Sequence, residues 1–348
     1  MNAALKKRLL ESLYTNDTKA TPDEEESYLY ALVDASHDGM IASTLQGLAS
    51  NVRLIMQGED LEEFGDESPW LVQIKPEENL LDWLLENGWG ERWLVFLRSR
   101  YSMNVLLEHL QHFVSIVNDE SGEELYFRFY DPIILFSHLL VFTQAQRDLF
   151  FRKIDHVLME IGDTIYLDLS YPESNEGAIQ KQLVESTDAG ITVDEGQFSL
   201  PNLNVENAQA EPVFIFSKEQ LEYPILSNRP LLIDHIEEYL RESYDTRMNC
   251  YPKGFLYSMI DHGIELAFSY RLFDLEHVRL FSELRWEIAP GFHRQPDIHA
   301  VLSDDVLSSK AKFNYMTEDR FTNAWMKAME YDDSNEWLEE EKEKEGYA

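Results

Sequence analysis

The chain has 348 residues, 44% of them hydrophobic, including 19 Phe and 17 Tyr; that is enough apolar material for two cored domains and excludes a disordered composition. With 65 acids against 29 bases the formal charge is −36, which disfavours nucleic acid and anionic lipid as partners and makes a basic protein the natural one, although such acidity also serves solubility alone. The single cysteine, Cys250, excludes an intramolecular disulfide and fits a reducing compartment.

The opening "MNAALKKRLLESLYTND" is amphipathic, and its apolar stretch is too short and too charged for a secretory signal. No run of about 18 apolar residues occurs, so no membrane span is predicted. A soluble, cytoplasmic protein is expected. An acidic linker, "TNDTKATPDEEES", completes a segment over 1–27. A first lobe is predicted over 28–169. "YLYALVDA" reads as a buried strand, "MIASTLQGLASN" as a helix, and "VRLIM" and "PWLVQI" as short strands. "PEENLLDWLLENG" is a helix with early acids and Gly88 past its end. "RWLVFLRS" is a strand. "SMNVLLEHLQHFVSIVN" reads as one helix with Leu106, Leu107, Leu110, Phe113, Val114 and Val117 on its buried face. Alternating strands and helices predict an α/β or α+β lobe with a mixed sheet.

From 170 to 212 the pattern becomes polar and acidic, as in a long connection with at most a stray hairpin. A helical C-terminal lobe is predicted over 213–329. "RPLLIDHIEEYLRESY" is amphipathic, "GFLYSMIDHGIELAFSYRL" is the expected central helix, and "DLEHVRLFSELRWEI" opens on Asp274 as N-cap. "APGFHRQPDI" is a turn-rich break. Residues 330–348 form an acidic tail, of a kind usually solvated and mobile.

The phosphate-loop, dinucleotide, nucleophile-elbow and HExxH patterns are absent from the sequence, and one cysteine excludes a thiolate cluster within the chain. No cofactor, metal or catalytic residue is assigned. Weaker constellations remain. Asp34, His37 and Asp38 follow a buried strand, where ligands often sit; a histidine between acids suits a general base or metal ligand, and equally a capped, solvated turn. His109 and His112 have a spacing that can share a metal, but nothing completes the set. His262, His277, His293 and His299 are scattered, and no spacing ties them together.

The stretch "GEELYFRFYDPIILFSHLL" places Arg128 and Asp131 inside an apolar run. Leu125, Phe127 and Phe129 alternate with Tyr126, Arg128 and Tyr130, the period of a strand. Asp131 then stands as N-cap and Pro132 at the first helical position, before a helix through "IILFSHLLVFTQAQRDLFF". The predicted unit is a strand, a tight corner and a helix start. A carboxylate partner for Arg128 is needed, and Asp34 at a neighbouring strand end is the expected one.

Several of these pieces, in order, resemble the family of type VI secretion effector chaperones, or adaptors, long filed as a domain of unknown function. "YALVDAS" looks like the family's opening strand, "SPWLVQI" is similar to its next, "RWLVFLRS" with the helix at Leu106–Val117 matches the following unit, and "YFRFYDP" is closest to its hallmark. The resemblance covers about Tyr28 to Phe151; the second lobe, to about Leu307, resembles the family only as a helical pattern. Many members carry Arg directly after the Asp-Pro, where this chain has Ile133, so any contact of that arginine does not transfer.

The resemblance implies a non-enzymatic protein that binds one toxic effector in the cytoplasm, keeps it soluble and loads it onto the spike protein VgrG. It favours the structural reading of the corner formed by Asp34, Arg128, Asp131 and Pro132, in which Arg128 and Asp131 fix the turn from strand to helix, over a ligand site there. An acidic monomer forming a one-to-one complex is expected. Tyr251, Phe255, Tyr257, Phe268 and Phe292 are the candidate client face, since protein interfaces favour aromatic anchors; ordinary core packing is the competing account. Two rival functions are an immunity protein that neutralises a toxin and an acidic metal-dependent hydrolase using Asp34, His37 and Asp38.

Overall fold

The computed structural model describes residues 3–14, 27–162, 164–171, 179–187, 190–197, 208–211 and 213–338. The acidic linker at 15–26, parts of the polar stretch at 172–178 and 198–207, and the tail residues 339–348 lie outside the described residues. The chain divides into two compact units, Met1–Leu221 and Glu222–Ala348.

The first unit starts with α1 (Ala3–Tyr14), which buries Leu5, Leu9 and Leu13 along one helical stripe. In chain order follow β1 (Tyr28–Asp34), α2 (Ile41–Leu48), β2 (Val52–Leu54), α3 (Gly58–Phe64), β3 (Pro69–Ile74), α4 (Leu80–Asn87), β4 (Leu94–Ser99), α5 (Met103–Gln111), β5 (Ser115–Asn118), β6 (Glu124–Tyr126), α6 (Pro132–Leu139), α7 (Gln144–Phe150), β7 (His156–Gly162), β8 (Ile165–Ser170), β9 (Gln180–Thr187), β10 (Gly190–Gln197) and β11 (Ile215–Phe216).

An eight-stranded sheet runs in the order β10-β9-β8-β7-β4-β1-β3-β2, and β11-β5-β6 form a second, small sheet. Among the described residues every pair in the large sheet is antiparallel, and β11 with β5 is the parallel pair. The architecture is therefore α+β. The large sheet is antiparallel despite the helices between its strands, because the strands joined through α2 and through α4 run in the same sense but are not neighbours: β3 lies between β1 and β2, and β1 lies between β3 and β4.

Both faces of the sheet are covered, which is why β1 is apolar without alternation. Tyr30 and Leu32 face one core, shared with α5, α6 and the rings of Phe113, Phe129 and Phe216. Leu29, Ala31 and Val33 face the other, shared with α1, α2 and α4. Gly88 ends α4 where a side chain has no room: an added Cβ would lie 2.7 Å from both Leu84 O and the Trp93 ring.

Several expectations need correction. The helix expected over 102–118 stops at Gln111, and Ser115–Asn118 is β5. Val114, Ile116 and Val117 make a β-branched cluster, and pairing with β6 and β11 overrides the helical period. The strand expected over 125–130 is shorter, Glu124–Tyr126. The helix after Pro132 is two helices, α6 and α7, the second restarted by a capping box between Thr143 and Gln146.

The segment over 170–212, read as a long connection with room for a stray hairpin, does hold a hairpin, β9 and β10, but one that extends the large sheet rather than standing apart from it. Its outer residues are largely exposed, so its composition is polar although its backbone is regular. The N-terminal segment also belongs to the first unit, since α1 packs across that hairpin and the Ser12 hydroxyl lies 3.0 Å from that of Tyr166.

Buried histidines tie first-unit stability to pH. Burial pushes His109 and His138 down to about 4, against about 6.5 in an unfolded chain. Between those values the unfolded chain binds more protons, so this contribution is present at neutral pH and is lost as pH falls from about 6.5 towards 4. The denaturation midpoint of the first unit is expected to fall from pH 7 to pH 5 by less in His138→Phe than in the parent. An identical fall in both would refute this role.

The second unit is helical: α8 (Lys218–Leu226), across which the division falls, then α9 (Arg229–Met248), α10 (Lys253–Ser269), α11 (Leu275–Glu287), α12 (Pro296–Leu302), α13 (Ser309–Met316) and α14 (Thr322–Ala328). Asn228, Asp274 and Ser308 cap α9, α11 and α13 through their side chains. The core joins Leu232, Ile236, Ile260, Ile264 and Phe281. The solvated tail expected from 330 onward needs correction too: Trp337 is 5% exposed and its ring lies 4.8 Å from that of Trp286. Among the described residues no helix is long and apolar enough to cross a membrane.

Candidate functional site

The corner in the first unit is built by the end of β1 and the chain leaving β6. After Tyr126 the backbone tightens, with Phe127 N donating to Val114 O and Phe129 N to Phe127 O, both at 2.8 Å. Phe127 and Phe129 enter the core and are 2% and 0% exposed, which turns Arg128 the other way. Its Nη2 donates to Asp34 Oδ2 at 2.8 Å and lies 3.8 Å from Asp131 Oδ2. Asp131 Oδ1 accepts from the amides of Ile133 and Ile134, capping α6, with Pro132 in the first turn.

Asp34 is 1% exposed. Its Oδ1 accepts from Ser36 N at 3.1 Å and Ser36 Oγ at 2.6 Å. For Arg128, burial opposes the charge, and the hydrogen bond and charge of Asp34 outweigh it, so the guanidinium is held above its ordinary value. Tyr130 is pushed up to about 12 by burial and then by Asp34.

The carboxylate of Asp34 is thus already satisfied, by a cation on one oxygen and a turn on the other. A metal ion at Oδ2 would stand against the guanidinium. His37 Nε2 lies 3.9 Å from Asp34 Oδ2, while Asp38 caps the following turn at Met40 N. The geometry is that of a structural corner. His109 and His112 are separated by their partners: Nε2 of His109 meets Phe150 O at 2.9 Å and Nε2 of His112 meets Ala210 O at 3.2 Å. Among the described residues the set of acids and histidines close enough to share an ion is Asp274, Glu276 and His277. Asp274 is engaged there as the N-cap, accepting from His277 N at 3.1 Å and touching His277 Nδ1.

In the second unit the structure joins what spacing left apart. A cleft of about 1510 Å3 is lined by α10, by the segment around His293 and Pro296, and by 333–336 with Leu338. His262, His293 and His299 all face it, whereas His277 does not. The ring of Tyr270 lies between His293 and His299, 5.9 Å from each. His293 is 5% exposed, and its Nδ1 has no hydrogen-bond partner. Burial, then the charges of Arg285 and Arg294, push it down to about 3, so it is neutral at physiological pH.

The wall at 333–338 is fixed from behind. His262 Nδ1 meets Trp337 O at 3.2 Å, Arg285 Nη2 donates to Glu336 O, and Arg294 pairs with the Glu336 carboxylate. No sequence period reveals this cleft, because its parts come from segments far apart in the chain; the tryptophan in an otherwise acidic tail was the available signal for its third wall.

The candidate client residues do not form one face. Phe292 is 0% exposed, against Phe281 and Trp325, and is a core residue; its place in an aromatic run made it look available, and the helical turn at Phe292–Arg294 carries it inward. Phe255 is 37% exposed, lines the cleft and stacks on Tyr251. Tyr257 is exposed but is not among the cleft residues. Phe268 lies under Arg229 and beside Phe273.

Residues 29–149 match a family model described as a domain of unknown function, DUF4123. No curated protein and no solved structure matches the chain. The match spans β1 to α7 and includes Asp34, Arg128, Asp131 and Pro132.

Proposed function

We propose that this protein is a non-enzymatic adaptor of type VI secretion, which binds one toxic effector in the cytoplasm, keeps it soluble and brings it to the VgrG spike. The observation that carries the reading is the DUF4123 match over residues 29–149, a domain known in such adaptors, with the "YFRFYDP" corner inside it. Two physical features support it. The most conspicuous buried acid, Asp34, is committed to holding that corner. The charge of −36 suits steered encounter with a basic client.

The test is a pull-down of the tagged full chain from its own producing cells, with mass spectrometry of what remains bound. Recovery of one large toxin-like protein, whose soluble amount drops when this chain is deleted, supports an adaptor. If the recovered toxin is inhibited by this chain, and cells expressing it are protected, the protein is an immunity factor instead. Recovery of background proteins alone would sink both readings.

A further inference from the structure

We propose that the cleft of the second unit is a docking site for an extended, arginine- or lysine-bearing segment of a partner polypeptide. The inference rests on the adaptor reading and supplies what that reading lacks, a place and a chemistry for the client. Its size comes first. At about 1510 Å3 the cleft exceeds the ~300–1,000 Å3 that accommodates small ligands, and so fits several residues of chain.

The lining then selects charge. Arg294 is neutralised by Glu336, and His293 is held neutral, so no unpaired fixed cation of these two faces an occupant. Asp333 is exposed, with Oδ1 engaged only by the amide of Asn335 at 3.0 Å among its hydrogen bonds here. Of the two carboxylates that line the cleft among the described residues, Glu336 is taken by Arg294 and Asp333 is left to an occupant. Phe255 and Tyr270 supply aromatic faces, on which a guanidinium or ammonium rests favourably. A cationic side chain thus meets the Asp333 carboxylate at the wall and rings within.

A further observation points to a ligand. Nδ1 of His293 is a buried polar atom without a partner, in a residue that lines the cleft. Such atoms are rare and destabilising unless something satisfies them. That atom is shut off from the cleft as the ring stands, so an amide seated against this wall supplies the missing bond as the imidazole turns outward. A second copy of this chain is a poor occupant, since two bodies of −36 repel.

The test uses the purified full chain and a dye-labelled peptide of alternating arginine and leucine, with its glutamate–leucine counterpart as control, at about 0.15 M salt. Anisotropy should show saturable binding of the basic peptide alone. Hydrogen exchange should then slow in α10, around His293 and at 331–338. Phe255→Ala combined with Asp333→Lys should weaken binding about tenfold, through one lost aromatic face and one reversed charge. The double variant moves the net charge only from −36 to −34 (two units of 36), so loss of general attraction does not account for that effect.

Unchanged affinity in the double variant, protection confined to other segments, or equal binding of the acidic peptide would each overturn the proposal. The two readings fail separately. A client recovered by pull-down that binds the double variant normally sinks the cleft and leaves the adaptor. A cleft that binds the basic peptide, in a protein that recovers no client, sinks the adaptor and leaves the cleft.

Discussion

Replacing Arg285 with alanine should destabilise the second unit by about 3–5 kcal/mol, from three carbonyls left without their donor and a buried void. Arg285 is 1% exposed. Its Nε donates to Pro290 O at 3.2 Å, its Nη1 to Met259 O at 3.0 Å and its Nη2 to Glu336 O at 2.5 Å. One planar fork therefore joins α10, the turn after α11 and the wall of the cleft. The ring of Trp337 lies 5.0 Å from the guanidinium carbon. Burial pulls Arg285 down to about 10, so it remains charged at neutral pH, and the three carbonyls take the place of water.

Alanine leaves those carbonyls without donors and opens a void beside Trp337. Lysine keeps the charge but cannot reach three carbonyls from one point, so Arg285→Lys should fall between parent and alanine. Gly263→Ala offers an independent check, because a Cβ there would lie 2.7 Å from Nη1 of Arg285 and displace the fork without removing it. Denaturant melts with hydrogen exchange in α10 and α11 provide the readout. A loss in Arg285→Ala below about 1 kcal/mol would show the fork to be dispensable.

The second large effect is expected at Asp34. Asp34→Ala should cost the first unit about 2–3 kcal/mol, since a buried carboxylate with charge-assisted bonds is lost. Arg128→Ala should cost less, because about half of that side chain is in solvent and exposed partners contribute little. The double variant should cost less than the sum of the two, by the coupling that remains across 2.8 Å. Strict additivity would mean that the pair contributes nothing jointly. Client recovery should survive Arg128→Ala if the corner serves only the fold.

The corner was legible because its chemistry is local. An Asp-Pro pair after an aromatic alternation specifies a cap and a helix start with little help from the rest of the chain, and an arginine in an apolar run calls for a carboxylate, although the structure leaves Arg128 about half in solvent rather than buried. The strands flanking it were legible for a related reason: a strand covered on both faces is a continuous apolar run. Where tertiary pairing decides, the sequence misled. Val114 to Val117 continue a helical period and yet pair as β5. The hairpin of β9 and β10 is regular but mostly solvated, so composition concealed it. The cleft was the least legible, since His262, His293, His299 and Asp333 converge only after α10 and α11 have folded back, and Phe292, which looked like surface, is core.

The packing of α1 across β9 and β10 also sets an order of events during synthesis. Leu5, Leu9 and Leu13 are made well before the strands they pack across, which end near residue 197. At ribosomal speeds of about 5–20 residues per second, the apolar stripe of α1 waits roughly 10–40 s for its cover. For that interval the nascent chain displays a greasy amphipathic helix. The acids that follow α1 in sequence, Asp23, Glu24, Glu25 and Glu26, give every neighbouring chain of a polysome the same charge, and like charges discourage premature partners.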